Sequence, residues 1–213
     1  MVRSPGAVLL AALLVVAGCS APGDRTPQPL EGTATEATVG TEALSAGGFE
    51  TAQVDARRVN RTGTLEVSGD VSLVVDYRVR ATAQRAVYRS SGSDPPAVVA
   101  VHSAPLVSPD SVAATIDPLG DRSTAAVVER VQGVYGDLGT LEPLENGTAT
   151  LLGNETTLAR YGTTADVDGA AVEVVVYVAV VRHAGDVVRA VAVLPRAADD
   201  PATVRGLLSA VEH

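Results

Sequence analysis

From Val71 the chain alternates. Odd positions Val71, Leu73, Val75, Tyr77, Val79, Ala81 and Ala83 are apolar. Even positions Ser72, Asp76, Arg78, Arg80, Thr82 and Gln84 are polar, with Val74 the exception. A period of two over such a run fits a long strand with one buried and one wet face. Ala97–Ser103 predicts a second strand, closed by Pro105. Two valine-rich segments, Ala171–Arg182 and Val187–Leu194, flank the turn Ala184-Gly185-Asp186. Continuous valine implies central strands covered on both sides, or a sheet whose outer face is partly capped.

Helical spacing occurs twice. Asp121 or Ser123 can cap a helix carrying Val127, Val128, Val131, Val134, Tyr135 and Leu138, with Gly136 suited to its end. Asp200 then caps a helix with Pro201 at its first position and Val204, Leu207, Leu208 and Val211 on one face. Short strands are expected at Thr140–Leu144, Thr148–Leu152 and Thr157–Thr163. Strands joined by short turns, with helices at two places, predict an α+β fold. The expected form is an antiparallel sheet of about six to eight strands with two or three helices packed on one face. Residues 49–213 are expected to form this single domain.

Asp117-Pro118-Leu119-Gly120, the valine strands Val172–Val193 and the closing Leu207-Leu208-Ser209-Ala210-Val211-Glu212-His213 resemble a family of uncharacterised haloarchaeal lipoproteins. The resemblance spans roughly 49–213 and implies an anchored envelope protein, with no catalytic residue to carry over. More faintly, the architecture is similar to the PsbP/Mog1-like fold of some lipoproteins, an analogy of fold alone.

The N-terminus reads as an address. Arg3 precedes an apolar run from Ala7 to Ala17, which is too short to span a bilayer and fits a signal peptide over residues 1–18. Val16-Ala17-Gly18-Cys19 resembles a lipobox, which implies lipidation of Cys19, the only cysteine in the chain. Residues 19–48, rich in Pro, Thr, Gly, Ala and Glu, are expected to be a flexible tether. One acyl chain binds a membrane only marginally, so stable anchoring needs a second chain or contact.

Composition excludes several chemistries. All 16 basic residues are arginine, so lysine Schiff bases and P-loop lysines are absent. A single cysteine excludes an internal disulfide and multi-thiolate metal sites. A net charge of −9 argues against a nucleic-acid partner. The acidic, lysine-free composition fits an exterior adapted to high salt. All three asparagines, Asn60, Asn146 and Asn154, open N-x-Thr triplets, which makes each a candidate glycosylation site on an exported chain. Asn146-Gly147 also suits a type I′ turn.

No catalytic motif emerges. His102 precedes Ser103 in a predicted strand, but no nucleophile elbow surrounds them. His183 abuts a turn, and His213 ends the given sequence. A pairing of His102 with His183 on a metal lacks supporting spacing. Asp166-Val167-Asp168-Gly169 starts like a calcium loop, yet Ala170 and Tyr177 occupy ligand positions, so a hairpin turn is expected. Asp117 and Asp121 suggest a weak cation site at most, and Asp199-Asp200 a helix cap. Few aromatics are available to stack on sugars. The expectation is therefore no cofactor, no metal and no catalytic residue.

Asp76, Arg78 and Arg80 form a possible ligand-contact face, with Arg85 and Arg89 further on and Arg57, Arg58 and Arg61 nearby. Cross-strand ion pairs are the plainer reading of the same charges. The leading expectation is a lipid-anchored cell-surface protein, non-enzymatic, that binds envelope proteins or glycans on the extracellular side. The alternatives are an envelope hydrolase using scattered carboxylates with His102, and an assembly or chaperone-like factor for an envelope complex.

Overall fold

The computed structural model describes residues 28–67, 73–110 and 113–213. Cys19 and the expected signal peptide lie outside them. The fold is α+β, with three α-helices and a mostly antiparallel sheet of nine strands, above the six to eight expected. The outermost strand on one side is β3 (Phe49–Val67), which pairs along its whole length with β4 (Leu73–Ser90). On its other side β4 pairs with β5 (Val98–Pro105) and, in parallel, with β1 (Pro29–Thr33). Then follow β10 (Asp186–Pro195), β9 (Ala170–His183) and β8 (Asn154–Val167), with β6 (Glu142–Pro143) and β7 (Gly147–Leu151) along β8. A separate clasp pairs β2 (Thr38–Val39) with β11 (Val211–Glu212).

Two-residue turns close three hairpins. Leu152-Gly153, Asp168-Gly169 and Ala184-Gly185 all adopt positive φ, the backbone that matches the right-handed twist of hairpin strands. Asp168-Gly169 is therefore the turn expected from sequence, and the Gly169 amide donates to Asp166 Oδ1. Asn146-Gly147 is not a hairpin turn: Gly147 opens β7, while Asn146 Oδ1 accepts the Arg160 amide.

Helices cover both faces of the sheet, rather than the one face expected. On one face, α1 (Thr41–Gly47) and α3 (Pro201–Ser209) bury Leu44, Val204, Leu207 and Leu208 against Val99, Val101, Val175, Tyr177, Ala190 and Ala192. On the other, α2 (Thr124–Gln132) buries Val127, Val128 and Val131 against Val98, Ala100, Val174, Val176, Val191 and Val193. Successive strand residues point to opposite sides, so a strand sandwiched between two helical layers needs apolar residues at every position. That is the reason for the continuous apolar run Val174–Ala179 of β9 and for the valine-rich β10 opposite it. At about 1.5–3 kcal/mol per fully buried aliphatic side chain, α2 and α3 each dock through three such anchors and α1 through one.

Two expected boundaries move. The Ser123 side chain accepts the Ala126 amide and caps α2, but the helix ends at Gly133, in left-handed conformation, and not at Gly136. Residues 28–48, expected to be tether, are folded: β1 adds to the sheet, and Ala37, Val39 and Leu44 enter the core. Partners distant in sequence make this possible, including the Tyr88 hydroxyl, which accepts the Val39 amide.

Candidate functional site

The two helical layers leave part of the first face open. Around β1, β3 and the first half of β4, the register aligns Glu31 with Arg80 and Asn60, Thr33 with Thr82 and Arg58, and Thr62 with Arg78. Arg58, Asn60 and Arg80 are exposed and Arg78 is half-buried. Two adjoining hollows of about 530 and 480 Å³ run over these side chains. Arg78, Arg80 and the Thr82–Arg58 pair follow at steps of about 6.7 Å, two residues of strand rise. Among the described residues, none of Arg58, Arg78 and Arg80 is in an ion pair. Asp76 is exposed two residues from Arg78 in β4 and so shares its face. Asp76, Arg78 and Arg80 thus share one face of β4, and the pairing of β3 with β4 brings Arg58 onto the same face.

Arg85 and Arg89 do not belong to it. They occupy odd positions of β4 and project to the opposite side, and Arg85 is 3% exposed. There Arg85, His102 and Arg189 stand in one row across β4, β5 and β10, each the cross-strand neighbour of the next. Arg85 donates from Nε to Asp55 and reaches the Val131 carbonyl at the end of α2. Arg189 pairs with Asp117, whose other oxygen accepts the Leu119 amide. Arg61 donates to the Asp117 carbonyl and pairs with Asp121. Both carboxylates of the suggested cation site are therefore occupied by guanidinium groups. These contacts tie the 113–121 segment and the end of α2 to the sheet.

His102 is 2% exposed and lies beneath these elements, out of reach of a substrate. Burial, reinforced by Arg189, Arg130 and Arg85 and only partly opposed by Asp117, lowers its pKa from 6.5 to about 4. Arg85, His102 and Arg189 each interrupt an apolar register: Ala83-x-Arg85-x-Val87, Ala100-x-His102-x-Ala104 and Val187-x-Arg189-x-Val191. That interruption is the sequence signal for a buried polar row.

A second cluster gathers Ser103, Asp186 and His213. Asp186 Oδ2 accepts from the Thr35 amide (2.8 Å) and from the Ser103 hydroxyl (3.2 Å), and it lies 3.0 Å from His213 Nε2. The Ser103 oxygen is 3.4 Å from the same Nε2. A hydrolytic relay needs serine and aspartate on different imidazole nitrogens. Here one nitrogen faces both, so the group is a structural tie between the two ends of the described chain. His183 packs edge-on against His213 at 5.3 Å. It shares that face with Asp186, its strand partner, while His102 projects from the other face, so the two histidines do not meet. Among the described residues, no group of three or more His, Cys, Asp or Glu is arranged to hold a metal.

Asn60, Asn146 and Asn154 are all exposed. Asn154 donates to the Leu152 carbonyl in the β7–β8 turn, whereas Asn60 lies in mid-strand among the arginines. Asp199 is not a cap; it accepts from Tyr177 and Arg160, while Asp200 caps α3 through Ala202 and Thr203. Among the described residues, no helix is long and apolar enough to cross a membrane.

A family model described as a domain of unknown function (DUF6517) matches residues 36–212. No curated protein and no solved structure matches the chain.

Proposed function

The chain belongs to the DUF6517 family, and from that premise we propose that it is a non-enzymatic, lipid-anchored surface protein whose open basic face binds an acidic partner outside the membrane. One observation carries this reading: three arginines that pair with no carboxylate among the described residues stand on a part of the sheet that the described helices leave uncovered, in a chain of net charge −9. The acidic remainder repels a polyanion and so directs it to this face. Arginine also pairs with carboxylates through two parallel hydrogen bonds, which favours a partner bearing carboxylates in series. Lipidation of Cys19 holds the domain at the membrane, and exposed Asn146 and Asn154, at the other end of the sheet, accept glycans, while Asn60 stays bare within the basic face.

Poly-L-glutamate serves as the probe. The mature chain is expected to bind it in low salt, and the triple variant Arg58→Glu, Arg78→Glu, Arg80→Glu is expected to lose at least about tenfold in affinity. Equal binding by the folded variant rejects the face. Cys19→Ser is expected to move the protein from the membrane fraction to the soluble one, and unchanged fractionation rejects the anchor.

A further inference from the structure

The buried row across β4, β5 and β10 is electrically incomplete. Arg85 has Asp55 and Arg189 has Asp117, while Arg130, half-buried on α2, adds positive potential at His102 and is in no ion pair among the described residues. Both arginines opposite the imidazole are thus already paired, and Arg130 leaves the local field positive. Two polar atoms are also stranded. His102 Nδ1 and Arg189 Nη1 are sealed from solvent with no hydrogen-bond partner, on side chains that are 2% and 5% exposed. No hydrogen bond to the other ring nitrogen of His102 occurs among the described residues either. A buried polar atom left without a partner is destabilising, and more so when it is charged. Here two such atoms belong to directly opposed residues on neighbouring strands, where side chains lie about 4.5–5.5 Å apart at Cβ.

We propose that this row binds one small anion of halide size, held by an N–H of the His102 ring and by Arg189 Nη1, with Arg130 and Arg85 supplying the field. Both stranded groups can donate, and the surplus charge around them is positive. A water molecule could satisfy the donors but would not offset the positive field at the two sealed atoms, which burial screens weakly. A sealed position between two strands and α2 favours a monatomic ion over phosphate or sulfate. The ion would lock the 113–121 segment, through Asp117 and Arg189, to the end of α2, through Arg85 and the Val131 carbonyl. The site is separate from the open basic face, which is on the other side of the sheet.

Crystals of the mature protein grown in sodium bromide test the assignment directly. An anomalous peak touching His102 and Arg189 is the expected result. A water, an empty position or a peak that appears only at molar bromide overturns it. In solution, replacing acetate by chloride at constant sodium is expected to raise Tm saturably, by roughly 2–4 °C. The gain is expected to vanish in His102→Leu and persist in Arg80→Ala. Equal Tm in the two salts for the wild type rejects the site even if His102→Leu fails to fold.

Discussion

His102 sits between Arg85 and Arg189, and its depressed pKa has a consequence for stability. The unfolded chain protonates this imidazole near 6.5, but the folded chain does so only at about 4. A lowered histidine pKa stabilises the fold fully above 6.5, and the stabilisation is lost as pH falls through that window. The effect is on the order of 3 kcal/mol. Denaturant titrations in halide-free buffer should show stability dropping from pH 6.5 toward 4. His102→Leu should flatten that part of the profile; an unchanged slope would mean that another group governs it. Nothing in the local sequence around His102 foretells this, because the arginines that suppress its charge come from strands distant in the chain. What was legible is the break in apolar register at Arg85, His102 and Arg189.

At the scale of elements, the ends of α1 and α2 make a controlled comparison. Gly48 and Gly133 both terminate helices in left-handed conformation, with φ of +70° and +60°. A Cβ on Gly48 meets nothing within 4 Å, whereas one on Gly133 would lie 2.6 Å from Arg85 Nη1. Gly48→Ala should therefore cost about 1–2 kcal/mol, the backbone penalty alone. Gly133→Ala should cost more, because it also displaces the guanidinium from the Val131 carbonyl. Urea denaturation of both variants measures the difference, and equal losses would remove Arg85 from the account. Strands β5, β9 and β10 and helix α3 were legible because burial on one or both faces imposes a pattern on their residues. Strand β3 was not. As an edge strand it exposes polar residues such as Thr51, Gln53, Arg58 and Asn60, and its charges are those that discourage edge-to-edge association. Its partnership with β4 is what brings Arg58 to the basic face.

For the whole molecule, the two ends of the described chain close on each other. Val211 pairs with Val39, His213 lies against Asp186, and the same carboxylate accepts the Thr35 amide. Deleting Val211–His213 should therefore expose residues 34–47, detected as faster proteolysis or hydrogen exchange in that segment while β9 and β10 remain protected. Unchanged protection of 34–47 would show that the clasp is dispensable. The sequence by itself determined the α+β class, the central valine strands and the capped closing helix. Each of these is written in a local pattern of burial or in a backbone requirement that neighbouring residues meet. Only the tertiary structure decided that helices cover both faces, that residues 28–48 belong to the fold, and which arginines are buried and which are exposed. Those outcomes depend on pairings between residues far apart in the chain, and a side chain's exposure and charge partners are set by what the other strands bring beside it.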